Sequence, residues 1–169
     1  MEALGVRSFV PARPVGMRCS HAVIHDDGRP RNKWSFEISD VRSEMDRLHA
    51  NDLDPKLTWA EHKLYWEQVC ILVGRAQAGR VRISERPDAD AKVLRDLILE
   101  LRPVLQGGRP AFGRRPRQLR LYYGEPDHIQ HCLLALHLDT KEADETGLEE
   151  QDDAIEEAIR RANAWAQAA

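Results

Sequence analysis

From Glu100 to Lys141 the chain reads ELRPVLQGGRPAFGRRPRQLRLYYGEPDHIQHCLLALHLDTK, and this stretch constrains the fold more than any other. Leu119 to Tyr123 has strand character. Gly124-Glu125-Pro126-Asp127 is a turn, because proline fixes φ and glycine permits positive φ. Ile129 to Leu138 is almost continuous in apolar residues, as expected of a strand buried on both faces. The two strands predict one antiparallel hairpin. Ahead of it, residues 106–117 hold Gly107, Gly108, Pro110, Gly113 and Pro116, too many breakers for regular structure.

The remaining elements follow from periodicity. Trp34 to Ile38 alternates apolar and polar residues, which predicts a half-buried strand. Ser39 or Asp40 can cap a short helix striped by Val41, Met45 and Leu48. Thr58 and Glu61 form a capping box for a helix with Tyr65, Val69, Leu72, Val73 and Ala76 on one side, ended by Gly79. Leu94, Leu97, Ile98, Leu101 and Leu105 predict a further helix capped by Asp88 or Asp90. An acidic loop from Glu142 to Gln151 leads to a last helix with Ile155, Ala158, Ile159, Ala162 and Trp165 on one side. The expectation is a single α+β domain over 33–169, a twisted antiparallel sheet packed against helices. A loose arm over 1–32 precedes it, with a short strand near 18–25.

Composition narrows the function. No apolar run approaches the roughly 18–20 residues of a membrane span, and the N-terminus lacks a signal pattern, so the expected compartment is the cytoplasm. Cys19, Cys70 and Cys132 are widely spaced and read as reduced, mostly buried thiols. There is no phosphate-binding glycine loop, dinucleotide fingerprint, H-E-x-x-H or G-x-S-x-G, so no cofactor is expected. Asp127, His128 and His131 lie close together without zinc-type spacing, and no metal site is expected. Twelve basic residues against five acidic ones lie between Arg75 and Arg120, and an acidic run follows after Lys141. That asymmetry suits a surface meeting phosphate on one side, and equally two solvated faces of opposite sign.

Strand parity selects candidates. Arg120 and Tyr122 share one face of the first strand, opposite Leu119, Leu121 and Tyr123. On the second strand Ile129, His131, Leu133, Ala135 and His137 share a face, opposite Cys132, Leu134, Leu136 and Leu138. Parity permits Arg120, Tyr122 and His137 to converge beside Lys141. Such a set can cleave an RNA phosphodiester with side chains alone. A base takes the 2′-hydroxyl proton, an acid protonates the 5′-oxygen, and cations stabilise the phosphorane-like transition state. The same residues also suit a surface arginine, a core-edge tyrosine and a hydrogen-bonded buried imidazole. Arg102, Arg114, Arg115 and Arg117 are candidate substrate-binding residues.

Glu100-Leu101-Arg102, Arg120-Leu121-Tyr122-Tyr123, Leu136-His137-Leu138, Lys141 and Ala154-Ile155-Glu156-Glu157-Ala158 occur in an order that resembles the RelE/ParE toxin superfamily, most of all its HigB-like, phage-associated branch. The motif match covers about 100–160. Lys141-Glu142 stands where that branch carries two lysines, and Leu138 stands in place of its phenylalanine. The resemblance implies a toxin-like endoribonuclease acting on RNA, in many members on the ribosome, and neutralised by an antitoxin protein. It implies phosphate binding by Arg102 and Arg120, and acid/base or transition-state roles for Tyr122, His137 and Lys141. The alternative is a catalytically silent protein of the same fold, a phage or mobile-element factor that binds a protein or nucleic acid. No helix-turn-helix pair supports a transcription-factor reading.

Overall fold

The computed structural model describes residues 32–54, 56–86, 88–95, 98–103, 117–142 and 146–168. Residues 1–31 of the expected arm, with the short strand expected there, and the connection holding Arg114 and Arg115 lie outside them. The elements run β1 (Lys33–Ser35), α1 (Ser39–His49), α2 (Trp59–Gln77), β2 (Ala91–Val93), β3 (Leu99–Leu101), β4 (Arg117–Gly124), β5 (Cys132–Glu142) and α3 (Thr146–Ala168). They form an α+β unit around one sheet of order β1-β5-β4-β3-β2. Three pairings are antiparallel as expected, but β1 runs parallel to β5, so the sheet is mixed. Among the described residues no helix is long and apolar enough to cross a membrane.

Each face of the sheet has its own core. On one, Leu99, Leu101, Leu119, Leu121, Tyr123, Leu133 and Leu138 pack against Val41 and Leu48 of α1 and Tyr65, Val69, Leu72 and Ala76 of α2. On the other, Tyr122, Leu134, Leu136 and Ile98 meet Ala154, Ile155, Ala158, Ile159 and Ala162 of α3. The capping box forms at α2: Glu61 N–H donates to Thr58 Oγ1 (3.2 Å) and Thr58 N–H to Glu61 Oε2 (2.8 Å). Gly79, with φ 68°, lies just past the helix. Thr58→Ala is expected to cost about 1 kcal/mol, read as a lower urea midpoint with an unchanged slope. A midpoint that stays put removes the cap from the account of α2.

Several local expectations are corrected. The helix expected after Asp88 is instead the β2–β3 hairpin. Leu94, Ile98 and Leu101 are spaced for a helix, but Leu99 is fully buried as well, and Leu99 and Leu101 alternate with Glu100. That period of two places both leucines on the α1/α2 side. Asp90 caps no helix; Arg75 and Arg82 hold its carboxylate. Neither Ser39 nor Asp40 caps α1, whose N-cap is Ile38 with no side-chain bond. Arg42 fixes the entry, donating through Nε and Nη2 to Phe36 O. The expected acidic loop is shorter, since α3 already begins at Thr146. Cys70 is exposed and Cys132 half-buried, not mostly buried.

The largest correction concerns parity in β5. Tyr122 pairs with His137 but Tyr123 pairs with Ala135, so Leu136 is an extra residue, a β-bulge. Before it, Leu134 and Leu136 face α3; after it Leu138 joins the opposite core and His137 stays on the α3 side. Beyond Leu134, β1 no longer accompanies β5. Side chains take over the outward backbone groups there. Arg161 Nη1 donates to Leu136 O (3.0 Å), Leu138 N–H to Glu44 Oε2 (2.8 Å), and Thr140 N–H to Asp139 Oδ1 (2.7 Å). Arg117 Nη2 donates to Thr140 O (2.7 Å) and Glu142 N–H to Glu150 Oε2 (2.7 Å).

Candidate functional site

The sheet register sets Lys92, Glu100, Tyr122 and His137 in one row across β2, β3, β4 and β5. In β4 and β5 the next rows are Arg120 opposite Asp139 and Gln118 opposite Lys141. Cross-strand partners share a face, so these side chains lie on the α3 side. Three of the four expected catalytic residues, Arg120, Tyr122 and His137, stand in adjacent rows, and Lys141 closes the series.

Glu100 is the centre, fully buried at 0% exposure. Arg102 Nε donates to its Oε1 (2.8 Å), and Gln151 Nε2 of α3 donates to its Oε2 (2.5 Å). Arg120 Nε lies 3.0 Å from Oε1, off the hydrogen-bond direction, so this buried N–H has charge compensation without a hydrogen bond. The other Arg120 nitrogens donate to Leu119 O and Gln118 Oε1, both at 2.8 Å. Lys141 Nζ donates to Gln151 Oε1 at 2.7 Å. One carboxylate thus faces two guanidinium groups, and Gln151 links it to the Lys141 ammonium. Burial and the Arg120 charge hold the Lys141 ammonium below the usual lysine range, with Glu100 opposing.

His137 is held differently. Its Nδ1 is 3.0 Å from Glu44 Oε1, and Asp139 Oδ2 is 3.7 Å from Nε2. Arg161 Nη2 also donates to Glu44 Oε1 at 2.7 Å. Burial pushes the imidazole down, but Asp139 and Glu44 more than offset it and raise it to about 9. His137 is therefore an imidazolium at neutral pH, poised to donate a proton rather than accept one. Burial likewise pushes the Glu44 carboxyl up, and His137, Arg161 and the Leu138 amide outweigh this and hold it below its ordinary value. The Tyr122 ring stacks on His137 with centroids 6.0 Å apart. At 1% exposure its phenol cannot touch a substrate, and burial followed by the Glu100 charge pushes it far above the usual tyrosine range. Tyr122 therefore packs beside His137 and takes no direct part with a substrate.

The candidate substrate-binding arginines divide. Arg102 remains at the site, with its side chain 15% exposed. Arg117 is buried and committed to Thr140 (Nε to Oγ1, 2.9 Å), with Glu150 3.3 Å from Nη2. It ties the end of β5 to α3. Arg114 and Arg115 lie outside the described residues. Asp127 sits 3.7 Å from His128, whose ring is 5.6 Å from that of Trp165.

Sequence reasoning missed Glu44, Gln151, Asp139 and Arg161. Glu44 meets His137 across 93 positions and Arg161 across 117, distances at which no local pattern exists. Glu100 was visible in the E-L-R motif, but its assignment to a helix hid its central place. No family model, curated protein or solved structure matches the chain.

Proposed function

We propose that the chain is a toxin-like endoribonuclease of a toxin–antitoxin system, cutting RNA by acid/base catalysis with cationic stabilisation. The observation that carries it is the pairing of Arg102 and Arg120 with one buried carboxylate, which Gln151 joins to Lys141, on the sheet face that also holds a cationic His137. The attacking 2′-oxygen bonds to phosphorus as the bond to the 5′-oxygen breaks. His137 gives its proton to that 5′-oxygen. Lys141, with its lowered proton affinity, takes the 2′-hydroxyl proton in its neutral fraction, and Arg102 faces the phosphoryl oxygens. The partner is an antitoxin protein.

A tightly controlled promoter in bacteria tests the reading. Wild-type protein is expected to slow growth and to cleave RNA with or without ribosomes. Lys141→Ala and Arg102→Ala, at half-buried positions, are expected to lose about 10²-fold or more in cleavage. A wild-type chain that neither slows growth nor cuts RNA under either condition sinks the proposal. The limited exposure of His137, 12%, favours one second reading, a catalytically silent member of the same fold. Such a protein would bind RNA with a steep salt dependence and leave it uncut.

A further inference from the structure

A second group of arginines lies at the β2 edge of the sheet. Arg75 of α2, Arg82 after it and Arg102 after β3 line a cleft of about 510 Å³ with Gln68, Ile71 and Asp90. Arg75 Nη1 and Arg82 Nη2 meet the same oxygen, Asp90 Oδ1, each at 3.1 Å. Arg82 donates to Oδ2 through Nε (3.2 Å) and through its backbone amide (3.0 Å). Asp90 itself is buried and positions both guanidinium groups; Asp88 also lines the cleft, with Arg86 Nε 3.3 Å from its Oδ1, so these pairs leave one positive charge over. A guanidinium has five N–H groups, and the exposures of 47% and 65% leave both side chains open to a ligand. Arg102 joins this cleft to the site: its amide donates to Asp90 O (2.9 Å) while its Nε holds Glu100 (2.8 Å).

Fixed guanidinium groups in an open cleft suit the bidentate recognition of phosphate. We infer that this cleft is a second phosphate-binding subsite for single-stranded RNA. It takes a phosphodiester of the same strand whose scissile phosphate meets Arg102 beside Lys141. This rests on the RNA reading proposed above. A strand bound at both places is held in register over the acid and the cations, so the cleft sets the shortest RNA that binds well.

Ile71 offers the cleanest test, because it lines the cleft, is 46% exposed and takes no part in the Asp90 pairs. A fluorescent single-stranded RNA dodecamer is titrated against wild-type, Ile71→Lys, Ile71→Glu and Arg75→Gln over a salt series, with thermal melts to check folding. Ile71→Lys is expected to tighten binding, and Ile71→Glu and Arg75→Gln to weaken it, each by roughly three- to tenfold. The log–log salt slope of Arg75→Gln should be shallower by about 0.7. Structural damage would move both Ile71 variants in the same direction. RNA binding by wild-type with both Ile71 variants within twofold of it overturns the subsite and leaves the proposed function standing. No RNA binding by wild-type overturns both. If polyglutamate is bound with that order and the RNA is not, the cleft serves an acidic protein segment and the subsite is likewise overturned.

Discussion

Glu100→Ala is expected to lower the free energy of unfolding by about 3–5 kcal/mol. The carboxylate is fully buried, Arg102 and Gln151 donate hydrogen bonds to it, and Arg120 Nε lies 3.0 Å away. Its removal leaves two guanidinium groups side by side with no counter-charge, and the Arg120 side chain is only 11% exposed. A buried pair adds little over an apolar replacement, but breaking one partner away strands the other. Arg120→Met in the same background should therefore restore part of the loss. Urea unfolding of the two single variants and the double variant measures this. If Glu100→Ala costs less than about 1 kcal/mol, or Arg120→Met adds to the damage, the cluster is not organised by Glu100.

Glu44→Ala should cost a similar amount, about 3–5 kcal/mol, and should also change how stability depends on pH. Glu44 accepts from Arg161 and the Leu138 amide and faces His137 Nδ1. The folded imidazole titrates at about 9, above its ordinary value of 6.5. Folding therefore takes up a proton between those values. The stabilisation is full below about pH 6.5 and is lost as the pH rises through about 9. At roughly 1.4 kcal/mol per unit the whole contribution is about 3 kcal/mol. Glu44 works in the other direction. Its lowered carboxyl stabilises the fold above its ordinary value of 4.5 and ceases to do so in acid. Stability is thus expected to fall on both sides of a plateau between about pH 5 and 6.5. Thermal midpoints measured from pH 4 to 9.5 show the plateau, and Glu44→Ala or His137→Gln should flatten the alkaline limb. An alkaline limb equally steep in His137→Gln assigns the effect to another group.

The parts legible in the sequence are those written locally. The capping box at Thr58 and Glu61 is three residues wide and forms as expected. The β4–β5 hairpin was visible because a turn with proline and glycine separates two apolar runs, although Gly124 still pairs within β4 and β5 begins only at Cys132, not Ile129. Within that hairpin, parity brought Arg120, Tyr122 and His137 to one face for a reason it did not contain. Alternation alone sets His137 against Leu136, and the bulge puts the two on the same face. A single inserted residue reverses every inference beyond it. The β2–β3 hairpin failed for the converse reason. Its leucines fit two periods at once, and burial on both sides of the sheet, which only the tertiary packing supplies, decided between them. The partners of the site residues were out of reach altogether, since α1 and α3 meet β5 only after the chain has closed on itself.

The side chains along the outer margin of β5 have one further effect. A strand that leaves its amides and carbonyls open can template another, within an assembly or in a growing fibril. Here Arg161, Glu44, Asp139, Arg117 and Glu150 already engage those groups. A binding partner cannot extend the sheet along this margin without first displacing them. Recognition along it must go through side chains, and the same contacts that hold His137 also keep one copy of the chain from stitching itself to the next.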